Sequence, residues 1–192
     1  MTDASSPSEI IGDSRHAALR RRIALVCHAV RWLTVGSLLF VAWGLYDHWS
    51  NADRVQRAFK NFYKVDISGV APWQWRAAEA VSALDWLVLA ILCWHVWRLF
   101  GRYLAGDIFS ANSATLLRRI GVLGLATVAF DFAMRPVTVM LMTAHVSDSG
   151  GARHAFVRTE DVLYVVISLV FVALGMIYRS AAELAEENAQ IV

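Results

Sequence analysis

Residues 162–178 read VLYVVISLVFVALGMIY, a run of 17 residues with no charge. A helix needs roughly 20 predominantly apolar residues to cross the hydrocarbon core of a bilayer, with a range of about 17–25. This run is therefore read as a membrane span, and it sets the frame for the rest of the chain. Three further apolar blocks lie upstream, at about 23–46, 80–100 and 116–144. Most of the charged residues fall between the blocks. The chain of 192 residues is 57% hydrophobic and 18% charged. Soluble domains run at roughly 45–50% apolar and about 25% charged. The departure is modest, so the segregation of apolar residues carries the reading, not the percentage. The expected fold is all-α: an antiparallel integral-membrane four-helix bundle occupying 20–192.

Residues 1–19 are expected to be a disordered cytoplasmic tail, small and polar at first and then basic at Arg15, with Arg20–Arg22 just after it. A signal peptide also starts basic, but its apolar core is about 7–15 residues, shorter than the first block here. In the first loop, Val55, Phe59 and Phe62 stand at i, i+4 and i+7, interleaved with Arg54, Arg57, Lys60 and Lys64. That spacing predicts a short amphipathic helix lying on the membrane surface, outside the cytoplasm. Gly106 should end the second long helix in a left-handed conformation, and Ser110 should cap the third. Pro136 should kink the third. Residues 145–161, with Gly150 and Gly151, read as a surface loop.

Orientation follows from Lys and Arg. Nine lie on the side of the termini and middle turn, tightly clustered, against seven diluted through long loops on the other side. Both termini are therefore expected in the cytoplasm. The two cysteines, Cys27 and Cys93, lie inside apolar blocks, which argues against a disulfide framework.

The turn and the C-terminus carry a resemblance. Gly106-Asp107-Ile108-Phe109-Ser110, then Asn112, then Leu117-Arg118-Arg119-Ile120-Gly121, is similar to the pattern of a bacterial membrane family known as domain of unknown function 2975. Its members show a G-x-I-F-[ST] turn between the second and third helices, and often end in a Glu/Asn segment closed by an apolar pair. Here that end is Glu186-Glu187-Asn188-Ala189-Gln190-Ile191-Val192. The resemblance spans roughly 20–192. The family has no established activity. Its members are often encoded beside a small helix-turn-helix DNA-binding protein, which implies a membrane partner of a transcription regulator.

Ionisable groups inside a bilayer are costly and need a partner or a role. Asp131 and Arg135, at i and i+4, share one helix face and should pair. Asp85 on the second span lies at similar depth. These three are read as a polar network locking the second and third spans, or alternatively as part of a proton or ligand path. In the other half of the membrane lie Cys27, His28 and Arg31 on the first span and Cys93 and His95 on the second. Neighbouring residues stand about 100° apart around a helix, so the four Cys and His side chains cannot converge as metal ligands. His28 with His95 is retained as an alternative haem pair. Met134, Met140, Met142 and His145 are read as packing residues, and the tryptophans toward helix ends as an aromatic belt.

No Walker loop, G-x-S-x-G, H-E-x-x-H or C-x-x-C is present. The chain is thus not expected to be an enzyme or to carry a cofactor, and the resemblance implies a regulatory protein of a bacterial inner membrane. Its expected partners are the bilayer and a cytoplasmic helix-turn-helix regulator, with no direct contact to nucleic acid. The candidate docking residues are Ile108, Phe109, Glu183, Glu186 and Glu187. The rival reading is a small redox or transport protein.

Overall fold

The computed structural model describes residues 7–62, 65–108, 110–145 and 157–191, and their side chains except at 7–22, 62, 185, 186 and 188–191. Among the described residues lie five helices: α1 (Pro7–Ser50), α2 (Ala52–Phe62), α3 (Pro72–Leu104), α4 (Ala111–Thr143) and α5 (Thr159–Ile191). Four of them are long and apolar enough to cross a membrane, over Ile23–Ser50, Pro72–Leu104, Ala111–Thr143 and Thr159–Leu184. The chain is an integral membrane protein of four antiparallel spans. One end of the bundle carries the α3–α4 connection and both chain ends, here the turn end. The other carries α2 and the α4–α5 connection, here the loop end. α1 begins at Pro7, inside the stretch read from sequence as disordered tail, and residues 1–6 lie outside those described. No proline lies between Pro7 and Ser50 to stop the helix.

The spans pack in chain order, α1 on α3, α3 on α4, and α4 on α5, leaving α1 and α5 at the two edges. Burial of apolar surface drives little association among helices surrounded by lipid tails, so close approach has to supply the packing energy. Glycines supply it between α4 and α5. A Cβ on Gly121 would stand 2.6 Å from the Ser168 carbonyl oxygen, and one on Gly124 would stand 2.4 Å from the Ser168 Oγ. One on Gly175 would stand 2.6 Å from the Arg118 backbone nitrogen. Between α3 and α4, Leu99, Leu116, Leu117 and Ile120 form a buried apolar cluster toward the turn end.

α2 is amphipathic as its spacing predicts, but its apolar face is covered by protein instead of the membrane surface. Val55 and Phe59 are buried against Trp49, Ala78, Val139 and Met142 at the ends of α1, α3 and α4. The Asn51 side chain starts the helix by accepting from the Arg54 amide at 3.2 Å. Asp47 on α1 holds Arg54 in an ion pair. Gln74, itself buried, donates from Nε2 to the Leu141 carbonyl at 2.8 Å and accepts from the Ala71 amide at 2.8 Å, tying the start of α3 to the end of α4. In the α2–α3 connection, Asp66 accepts from the Ser68 amide at 2.9 Å and from Gln56 Nε2 at 3.2 Å. Those bonds favour the charged form and hold its carboxyl below the usual range.

The α3–α4 turn is closed by local bonds. Gly106 takes φ +88°, and its amide donates to the Tyr103 carbonyl while the Asp107 amide donates to that of Arg102. This double closure is a Schellman arrangement. Ser110 Oγ accepts from the Ser113 amide at 3.1 Å, and Ser113 Oγ donates to the Asp107 carbonyl at 2.7 Å. α4 runs unbroken through Pro136.

Candidate functional site: a charged cleft at the loop end

A cleft of about 780 Å³ opens at the loop end between α1, α3, α4 and the first turn of α5, with α2 on its rim. Trp86 and Leu89 give it an apolar wall, and His48, Asp85, Asp131, Arg135 and Glu160 give it charge or polarity. Trp86 Nε1 donates to the Leu38 carbonyl at 3.4 Å, pinning α3 to α1 at the back of the cleft.

The strongest interaction in it involves a residue that sequence reading left in a loop. Arg135 Nη1 and Nη2 donate to the two carboxylate oxygens of Asp161, each at 2.6 Å. Arg135 and Asp161 are both about nine-tenths buried by side-chain area. Asp131 bonds the same guanidinium from one turn before it on α4. Asp161 also accepts from the Arg158 amide at 2.8 Å, which satisfies a free donor at the start of α5. One carboxylate therefore starts α5 and bolts it to α4. The sequence reading placed the lock between the second and third spans. The bidentate pair instead joins the third and fourth, because the charge that reaches Arg135 comes from across the loop.

Asp85 stands within electrostatic reach of Asp131 and Arg135, but its buried Oδ1 has no hydrogen-bond partner among the described residues. It shares the cleft without joining the bonded network. Counting Asp161 beneath Arg135, four carboxylates meet the two guanidinium groups of Arg135 and Arg158 there. The cleft is thus biased toward a cation or a proton, with apolar surface beside it. Among the described residues no group of three or more His, Cys, Asp or Glu is placed to hold a metal.

The other singled-out residues fall elsewhere. His28 is exposed on α1, whereas His95 lines a separate cleft with α4 residues and bonds the Ile91 carbonyl of its own helix at 2.9 Å. His28 does not line that cleft, so the structure does not bring the two histidines to one site. Arg31 lies over the Trp97 ring at 3.8 Å, and Trp32 meets the same ring edge-on. Trp49 meets Trp75 likewise. Several tryptophans expected in an interfacial belt therefore pack helices together. Both cysteines are free thiols.

At the turn end, Asp107 forms an ion pair with Arg102 at 3.5 Å, and Ile108 is half-buried. Phe109 and the Glu186 side chain lie outside the described residues. Glu183 is paired with Arg179 on its own helix at 2.8 Å, and Glu187 is exposed. No curated protein and no solved structure matches this chain. A family model does, over residues 69–192, which takes in the second, third and fourth spans, the Gly106–Ser110 turn and both partners of the Arg135–Asp161 pair. The chain belongs to that family of proteins of unknown function, DUF2975.

Proposed function

We propose that the chain is a non-enzymatic regulatory protein of the bacterial inner membrane, with both termini cytoplasmic, that holds a small helix-turn-helix transcription regulator at the membrane. The observation that carries this reading is the reach of α5. Gly175 abuts Arg118, which lies seven residues into α4, so α5 draws level with the start of α4 at about Ala182. Ala182 is buried, and the helix continues to Ile191. At 1.5 Å per residue, the last nine residues extend roughly 13 Å beyond the bundle. This arm presents Glu183 and Glu187 one turn apart, with Leu184 60% exposed between them. An exposed ion pair such as Arg179–Glu183 contributes little, so Glu183 exchanges partners readily. Carboxylates around an apolar side chain suit a basic protein such as a DNA-binding domain.

The loop-end cleft is the input in this reading. α5 runs as one helix from Asp161 in the cleft to the arm, so a ligand or proton that disturbs the Arg135–Asp161 pair shifts the root of the arm. Transport is less well supported. The polar lining of the cleft gives way toward the turn end to Leu92, Val96, Leu99, Leu116, Leu117 and Ile120, an apolar seal between α3 and α4.

Orientation is tested by reporter fusions after residues 110 and 192. Both should be active only in the cytoplasmic format, as the positive-inside rule requires for Arg98, Arg102, Arg118 and Arg119. A periplasmic signal at either position overturns the orientation. Docking is tested by replacing Glu183→Lys together with Glu187→Lys. Recovery of the helix-turn-helix partner with the membrane protein should fall about ten-fold at an unchanged level of the membrane protein, because like charges then face each other. Undiminished recovery removes the arm as the docking face.

A further inference from the structure

A second cleft of about 480 Å³ lies between α3 and α4 near the turn end, lined by His95, Thr115, Arg118, Arg119, Val122 and Leu123. α3 and α4 are each 33 residues, or roughly 50 Å, against a hydrocarbon core of about 30 Å. About 10 Å at each helix end therefore lies in the headgroup region. Arg118 and Arg119 stand seven and eight residues into α4, about 10–12 Å from its start, at the boundary between headgroups and hydrocarbon.

A guanidinium at that depth needs an anion. Among the described residues, neither arginine has a carboxylate partner. The nearby acids are engaged elsewhere: Asp107 with Arg102, and Glu183 with Arg179. The arginine positions are fixed, since the α4 backbone at Arg118 is clamped by Gly175 of α5. His95 Nδ1 donates to the Ile91 carbonyl at 2.9 Å, which in the neutral ring leaves Nε2 as an acceptor. Thr115 spends its proton on the Ala111 carbonyl at 2.8 Å and likewise has only acceptor capacity left. The rim thus offers two forked cations, two acceptors and no negative charge. Val122 and Leu123 continue the cleft toward the hydrocarbon.

From this arrangement we infer that the cleft is a binding site for an anionic phospholipid. Arg118 and Arg119 hold its phosphate, the acceptors on His95 and Thr115 take hydroxyl protons of a glycerol headgroup, and Val122 and Leu123 line the first methylenes of an acyl chain. Arginine forks match phosphate oxygens two at a time, which distinguishes the site from a diffuse basic surface. The site stands independently of the docking arm.

The test uses the full chain, purified in detergent and stripped of lipid, with phosphatidylglycerol or phosphatidylcholine added back and bound lipid read by native mass spectrometry. The wild type should retain phosphatidylglycerol about thirty-fold more than phosphatidylcholine, the scale set by two basic side chains near a lipid phosphate. Replacing Arg118→Gln with Arg119→Gln should remove the preference. Arg57→Gln, which removes one charge at the loop end, should leave it intact. Inorganic phosphate and glycerol phosphate should not raise the unfolding temperature, whereas phosphatidylglycerol should. Equal retention of the two lipids by the wild type overturns the proposal, as does a preference that survives in the double variant. A shift produced by free phosphate as large as that from the lipid overturns it too. If the double glutamine variant does not insert, Arg119→Gln alone and the wild-type lipid comparison decide the matter.

Discussion

Gly175→Leu should unfold the α4–α5 pair, whereas Gly44→Leu should leave the protein unchanged. Both positions are helical and both substitutions add the same side chain to a span. Both also gain most of the roughly 0.8–1 kcal/mol by which Gly trails Ala in intrinsic helix propensity, so this gain cancels in the comparison. They differ in what the new side chain meets. A Cβ at 175 would lie 2.6 Å from the Arg118 nitrogen and 2.8 Å from its Cα, which are backbone atoms of a helix that cannot step aside alone. At 44 nothing lies within 4 Å. Overpacking costs typically 1–3 kcal/mol where side chains can rearrange, and more where backbones must separate. Gly175→Leu is therefore expected to fall at or beyond the top of that range, with Gly121→Leu close behind. The measurement is thermal unfolding in detergent, with Gly44→Leu as the matched control. Indistinguishable melting of the 175 and 44 variants would mean that α4 and α5 do not cross at these glycines.

Features that depend on a few consecutive residues were legible in the sequence. The spans follow from apolar runs, and the α3–α4 turn follows from a glycine able to take φ +88° and a serine able to cap. Features that depend on what lies opposite were not. Spacing shows that α2 has an apolar face, but whether lipid or protein covers it is decided by Ala78, Val139 and Met142, which arrive from α3 and α4. The α4–α5 glycines read as ordinary span residues until Ser168, Val172 and Arg118 are set against them. Asp161 was passed over because it borders the apolar run, and a hydropathy reading trims charged residues from its ends. A local signal did exist. Glu160 and Asp161 form an acidic first turn before a long apolar helix, which is how a helix start reads. Taking α5 back by three residues brings Asp161 into the membrane face, within reach of the buried Arg135.

Asp161→Ala should be the most damaging of the single changes to the charged cleft, ahead of Asp131→Ala. Arg135 and Asp161 are each about 9% exposed, and the pair is bidentate. Removing one partner of a buried ion pair costs roughly 3–5 kcal/mol, mostly because the other charge is left behind. Asp131 is 36% exposed and makes the lesser contact, so Asp131→Ala leaves Arg135 still paired and should cost on the order of 1 kcal/mol. Asp161 has a second task, since it accepts from the Arg158 amide at the start of α5. Asp161→Asn separates the two: an amide oxygen can still accept that bond but carries no charge for Arg135. Its loss of stability measures the ion pair, and the further loss in Asp161→Ala measures the helix start, about 1 kcal/mol by the usual effect of capping residues. The double change Asp161→Ala with Arg135→Ala removes both charges together and should cost less than the sum of the two single changes by more than about 2 kcal/mol. Unfolding of all five variants, in one detergent and at one pH, completes the cycle. Additive losses would show that the two side chains do not interact in the folded protein, and the link from the cleft into α5 would go with them.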